Sequence, residues 1–366
     1  MKNKKGQATI KDVAKLSGLS IATVDRVLYQ RGKVSEKSVA AINEAIAQLD
    51  YKPNQIARAL STRKNDLKIG IVWSKVNSPF WNEIEGGIEK ARRQLDPFGV
   101  ELIADEKCRY ERHTFADQSR CIQYVLERGI NGLIFMPTMD DSDDKIRSII
   151  PENIPYATVI DDINDPRRLF HVGPNDFMLG SLAAKLMYLF CRDQCNAVLL
   201  CPNTILLETQ KRISGFLSKN QLDNLGMNIL QVIPIPGITE DEIYQNLYRI
   251  TKDCIQRYDY LNAFYVTDGL TLGCADAVSD MQKGGKIKII GHEYTDKLPA
   301  YLESGVISAV IYQKPAEQFY RAISIFYSWM TGAISKPESN YTMECRIIMK
   351  ENLPFIQIGE DPLANG

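Results

Sequence analysis

From Leu67 onward the chain repeats one pattern for nearly 300 residues: a short apolar run, then a longer amphipathic stretch. The runs at 67–73, 100–104, 132–136, 156–160, 197–200, 263–266 and 288–291 are rich in Val, Ile, Leu and aromatics. Runs this short and this apolar suit strands buried on both faces. Stretches such as 81–95 and 114–128 separate them and carry apolar residues at helical spacing. Strand and helix in alternation predict an α/β fold of parallel sheets flanked by helices. A body of this length exceeds one comfortable hydrophobic core, so two such lobes are expected.

The first 65 residues follow a different rule. They hold 13 Lys/Arg against 5 Asp/Glu, whereas the remainder holds 31 against 40, so a net charge of −1 conceals a basic head on an acidic body. That asymmetry is the footprint of nucleic-acid binding confined to one end. Thr9 caps a first helix with Asp12 three residues on, and Val13 and Leu16 give it an apolar stripe. Gly18 supplies the positive φ of a tight turn. Ser20 then caps a second helix over 21–28, with Val24 and Val27 inward. Ser35 caps a third running to about Leu49, with Ile42 and Ile46 inward. Three short helices with a tight turn between the first two predict a helix-turn-helix.

These residues resemble a known family. Thr9-Ile10-Lys11-Asp12-Val13-Ala14, Gly18-Leu19-Ser20, Thr23-Val24, Arg26-Val27-Leu28 and Val34-Ser35 resemble the headpiece of the lactose-repressor (LacI) family, and 51–60, Tyr-Lys-Pro-Asn-Gln-Ile-Ala-Arg-Ala-Leu, resembles its hinge helix. The body resembles the periplasmic sugar-binding-protein fold that the same family carries behind its headpiece. The resemblance implies a headpiece at 1–50, a hinge helix and linker at 51–66, and an effector-binding and dimerisation domain at 67–366. Within that domain, lobe 1 is expected at about 67–161 and 315–342, and lobe 2 at about 162–314 and 343–366, joined by three crossovers.

By position in that headpiece, Ile21 and Ala22 at the start of the second helix lie against base edges of the major groove, with Arg26 one turn on. Arg26 can donate two hydrogen bonds to guanine, worth about 1–3 kcal/mol against a wrong base. Ile21 and Ala22 read shape or a thymine methyl. Asp25 stands where the family usually has serine, and it either accepts from a cytosine amino group or orients a neighbouring cation. Thr9, Ser20 and Thr23 belong to the expected DNA-facing set, and Tyr29, Arg31, Lys33 and Ser35 complete it as phosphate contacts that add affinity without specificity. The hinge contributes Asn54, Ala57 and Leu60, and Leu60 acts by resemblance as an apolar wedge in the minor groove.

The effector site is carried over residue by residue. Asn77, Phe80 and Trp81 resemble the turn whose aromatics stack on a sugar ring. Asp161, Arg212, Asp268, Glu293 and Gln313 match polar groups at strand ends and at a crossover. Asp162 stands where sugar binders often have arginine, Thr267 where they have asparagine, and His292-Glu293 where many have Phe-Asp. Carboxylates, an arginine and an amide ringed with aromatics suit a polyhydroxylated ligand, because each can bond vicinal hydroxyls in pairs. The added acid keeps an amino or basic ligand open, and a purine is the alternative within the same architecture.

Together these readings predict an allosteric transcriptional regulator, a repressor by expectation, that binds a pseudo-palindromic double-stranded operator as a homodimer and responds to a small carbohydrate. Induction is expected over corepression, and activation stays open. A dimer is expected because one headpiece covers half a site. No heptad repeat follows Ile358, so no coiled-coil tetramer is expected. Neither a cofactor nor a metal is expected: the eight cysteines form no Cys-x-x-Cys pair, and no phosphate loop, nucleophile elbow or His-Glu-x-x-His occurs. An enzyme, with the cleft carboxylates as a glycosidase pair, is the rival reading. A transport protein would need a signal peptide in place of the basic head. No apolar run is long enough for a bilayer, so a cytoplasmic chain without membrane contact is expected. Arg26→Ala is predicted to abolish discrimination between operator and random DNA while leaving weak, salt-sensitive binding, measured by anisotropy on both duplexes; an equal loss on both would make Arg26 a phosphate contact.

Overall fold

The computed structural model describes residues 10–28, 34–49, 67–74, 79–111, 114–138, 143–192, 194–202, 207–237 and 239–356. The head comprises Ile10–Ser17 (α1), Ile21–Leu28 (α2) and Glu36–Leu49 (α3). Val13, Ala14, Val24, Ile42 and Ala45 form its small core. Gly18, at φ 69°, turns the chain between α1 and α2, and the Leu19 amide donates to the Ala14 carbonyl at 3.1 Å. Ser20 accepts from the Thr23 amide at 3.1 Å and Ser35 from the Ser38 amide at 3.3 Å, so both serines cap their helices. Leu16, expected in the inward stripe, is instead 48% exposed. With 100° of turn per residue, the buried pair Val13 and Ala14 sets a face from which Leu16 is rotated by about 110°.

The body opens with Leu67–Ser74 (β1), Pro79–Leu95 (α4), Val100–Ile103 (β2), Arg109–Tyr110 (β3), Phe115–Glu127 (α5), Gly132–Phe135 (β4), Asp143–Ile149 (α6), Tyr156–Val159 (β5) and Arg168–Gly173 (β6). It continues through Asp176–Cys191 (α7), Asn196–Pro202 (β7), Leu207–Leu222 (α8), Asn228–Ile235 (β8), Glu240–Arg257 (α9), Ala263–Val266 (β9), Leu272–Asp280 (α10), Lys288–His292 (β10), Leu298–Glu303 (α11) and Ala309–Tyr312 (β11). Pro315–Met330 (α12), Asn340–Thr342 (β12) and Arg346–Ile348 (β13) follow. One sheet has the order β12-β6-β5-β4-β1-β2, with β3 also paired to β1, and the other β13-β11-β10-β9-β7-β8. All pairs are parallel except β11 with β13. The chain passes between the sheets three times, at 174–175, 313–314 and 343–345.

The first boundary between lobes differs from the expected one. Residues 168–173, placed in lobe 2 from the sequence, pair with β5 through Thr158↔His171 and Val159↔Val172, so lobe 1 extends to about Gly173. Pairing of β12 with β6 covers that strand's other edge. Burial of Phe170 and Val172 between helices drives the assignment; the polar Arg167, Arg168 and His171 had masked the strand pattern.

Alternation along each strand of the second sheet divides its side chains between two cores. Val198, Leu200, Phe264, Val266, Ile289 and Val310 enter one. Ala197, Leu199, Cys201, Ala263, Tyr265, Ile290 and Ile311 enter the other, under α7 and α8. Those two helices cross at glycines: a Cβ on Gly180 would meet the Arg212 carbonyl oxygen at 1.9 Å, and one on Gly215 the Phe177 carbonyl oxygen at 1.9 Å. This contact brings the backbone of Arg212 against the first turns of α7. Gly180→Ala is predicted to lower stability by roughly 1–3 kcal/mol through overpacking. Gly86→Ala, where the added carbon meets open space, should be neutral or stabilising by up to about 1 kcal/mol. Urea unfolding of both variants measures the difference.

Candidate functional site: an interlobe cleft and an exposed helix face

The carboxyl ends of the parallel strands face the gap between lobes, where open α/β sheets bind ligands. Three residues there hold positive φ without being glycine: Ile160 (65°), Glu293 (60°) and Lys314 (56°). For a β-branched residue such as Ile160 this conformation is strained, and strain of this kind gathers at binding sites. Each turn reverses the side-chain direction at a strand end, aiming the next polar group off the sheet.

Arg212 is the pivot. It lies on α8, 4% exposed, and donates from Nε and Nη2 to Asp176 at 2.9 Å and from Nη1 to the Thr267 carbonyl at 3.0 Å. Burial disfavours its charge, but Asp176 and then Glu208 outweigh that and raise its pKa. Asp161, after β5, belongs to lobe 1, and its partner Glu208 to the first turn of α8 in lobe 2. Burial and then the adjacent Glu208 push the Asp161 carboxyl well above the usual range, and burial raises Glu208 as well. Neighbouring carboxyls disfavour each other's charge, so each is held toward its protonated form. This pair spans the lobes.

Glu293, after β10, is 5% exposed, with neither oxygen in a well-formed hydrogen bond and the Gln313 side chain beside it. Burial raises its pKa to about 8, against the pull of Arg212. Gln313, after β11, is buried with Oε1 unpartnered. Asp268 is half-buried, and its Oδ1 accepts from the Gly269 amide at 2.5 Å. Asp161, Arg212, Asp268, Glu293 and Gln313 are thus brought together.

Thr267 is placed differently from the expectation of a ligand group: fully buried, it holds Arg212 through its carbonyl. Asp162 accepts from Thr158 Oγ1 at 2.7 Å and the Ile163 amide at 2.9 Å, and pairs with Arg168 at 3.3 Å. It binds lobe 1 together and lines a cavity of about 620 Å³ with Asp161, His171, Asp176, Glu208 and Lys211. His292 is wholly buried and bonded to Tyr265 at 2.8 Å; burial drives its pKa well down. Sequence reasoning missed Asp176, Glu208 and Glu83. The last, on α4, accepts from the Tyr312 hydroxyl across the lobes, and burial raises its pKa to about 7.

In the head, Ile21, Ala22 and Arg26 are exposed on one side of α2 while Val24 is buried, and Thr23 is half-buried. Thr9, Tyr29, Arg31, Lys33, Asn54, Ala57, Leu60 and Asn77 lie outside the described residues, as do the side chains of Asp25, Phe80 and Trp81. No helix among the described residues is long and apolar enough to cross a membrane, and no metal-holding cluster occurs among them.

Comparison with known proteins agrees with both parts. Residues 69–333 match the periplasmic binding protein domain family, and residues 9–54 match the bacterial regulatory proteins of the lacI family. The chain belongs to the periplasmic binding protein domain family, and its head carries a segment similar to the bacterial regulatory proteins of the lacI family. It is 30% identical over 158 residues to the ribose operon repressor of Halalkalibacterium halodurans, covering 41% of this chain and 45% of that one. It is 46% identical over 129 residues to the HTH-type transcriptional regulator RegA of Clostridium acetobutylicum, covering 35% and 36%. The matched stretches therefore span less than half of each relative. The fold resembles that of GanP, a glucose-galactose binding protein from Geobacillus stearothermophilus, with a TM-score of 0.67 and 21% identity over 79% of this chain and 99% of that one.

The raised carboxyls give a pH dependence. A group whose folded pKa exceeds its unfolded value adds stability that is lost as pH rises through the folded pKa. For Glu83 and Glu293 the loss runs from 4.5 to about 7 and about 8. The ligand-free protein should lose on the order of 2 kcal/mol between pH 6.5 and 8.5, read as a falling melting temperature, and Glu293→Gln should flatten most of that slope.

Proposed function

We propose that the protein is a transcriptional repressor whose operator affinity is set by a small polyhydroxylated ligand closing the cleft between its lobes. The observation that carries this reading is the convergence of Asp161, Arg212, Asp268, Glu293 and Gln313 from both lobes beside an exposed helix-turn-helix face. The name of the ribose repressor and the glucose-galactose binding of GanP support a sugar or sugar derivative. The three crossings of the chain let the lobes move as two bodies, and the ligand shifts the equilibrium between their arrangements. Through residues 51–66 that shift changes the spacing of two heads in a homodimer on a pseudo-palindromic operator. A DNA-directed role places the chain in the cytoplasm.

The reading of an enzyme is weaker, since Arg212 saturates Asp176 and the remaining carboxyls lie around a binding pivot. A thermal-shift screen against sugars, sugar acids, polyols and purines tests the proposal. A stabilised class that is returned chemically unchanged and alters operator affinity supports it; a purine alone would overturn the carbohydrate assignment. Arg212→Ala should remove that response with DNA binding intact, and a normal response would move the ligand elsewhere.

A further inference from the structure

The cleft gathers more acid than a neutral ligand needs. Glu83 comes from α4 of lobe 1 and Glu293 from the end of β10 in lobe 2, 8% and 5% exposed. Tyr312 stands with them and donates its hydroxyl to Glu83. Neither oxygen of Glu293 is in a well-formed hydrogen bond, and the charge of Glu83 acts on it. Asp268 bears on Glu293 as well, and Asp296 on Glu83.

Arg212 and Lys314 make their hydrogen bonds elsewhere, and Lys211 lines the cavity beside Asp161 and Glu208. Arg212 is committed to Asp176 and the Thr267 carbonyl. Lys314 extends to Glu344 and to Glu317. Burying a carboxylate without a counter-charge is costly, and hydroxyl groups supply hydrogen bonds without charge. An ammonium supplies both, with three donors that can reach carboxylates on opposite walls.

We infer that the cleft recognises a cationic polyhydroxylated ligand, an amino sugar or amino polyol, whose ammonium group is held between Glu83 of one lobe and Glu293 of the other. The inference rests on the proposed carbohydrate-type effector and names its chemical class. It also assigns Glu83 a part in closure, because the bound ammonium would favour the charged forms of both carboxyls and attract each across the lobes.

Calorimetry on the full chain tests it with matched probes: glucosamine, galactosamine, mannosamine and glucamine, each against its neutral hydroxyl counterpart and, for the three sugars, the N-acetyl derivative. At least one amine is expected to bind tenfold or more tightly than both neutral partners, or than sorbitol in the case of glucamine. Glu293→Gln and Glu83→Gln should each reduce the ratio of amine to neutral-sugar affinity tenfold or more. The melting temperature of ligand-free Glu293→Gln should rise, because a buried acid is removed; Glu83→Gln serves if that variant does not fold. Neutral compounds binding as well as their amines would overturn the inference and leave the carbohydrate reading standing. Binding of putrescine with none of the sugars or polyols would overturn the carbohydrate reading and retain the carboxylate pair. Silence with every probe would overturn both.

Discussion

The buried guanidinium of Arg212 organises the second lobe. A charge removed from water must be paired and hydrogen-bonded, and here the partners come from separate elements: Asp176 from the start of α7 and the Thr267 carbonyl from the end of β9. Meeting both demands sets the depth of α8 against the sheet. The glycines at the crossing of α7 and α8 follow from the same requirement, since any side chain there would hold the helices apart. Stacking of Phe216 on Tyr265, with centroids 5.0 Å apart, closes the core beneath.

Around that pivot the cleft collects carboxyls whose charged forms burial disfavours. Asp161 and Glu208 meet across the lobes, and burial pushes the pKa of each up. Glu83 has the Tyr312 hydroxyl to offset its burial, and Glu293 has no well-formed hydrogen bond. The two lobes are therefore held in contact by groups whose charge depends on their partners, which is the condition for a ligand to change their relative arrangement.

The head was legible because its signals are local. A capping serine, a glycine turn and inward Val24 and Ile42 act within a few residues of one another, and Ser20, Gly18 and Ser35 take the roles that their positions imply. Leu16 was misread because spacing by three does not by itself fix which side of a short helix is covered. In the body, the seven apolar runs became strands, but β6 stayed hidden: its charged residues serve Asp162, Asn340 and Thr158, partners that only the fold brings near. The cleft residues at strand ends were recognisable through the family resemblance. Asp176, Glu208 and Glu83 were not: Asp176 and Glu208, on the first turns of their helices, look like ordinary helix starts, and the partners of all three, Arg212, Asp161 and Tyr312, come from other elements that only the fold brings near.

The discontinuity of the first lobe bears on how the chain is made. Its β6 edge is completed by Asn340–Thr342 and its outer layer by α12, neither of which exists until long after Gly173 has left the ribosome. At synthesis rates of about 5–20 residues per second, that interval is on the order of 10–30 s. The head can fold at once, whereas the sensing body must wait with an open strand edge exposed. Each new molecule thus has a folded head before it has a complete cleft, and the nascent body is the stage at which chaperones would matter most.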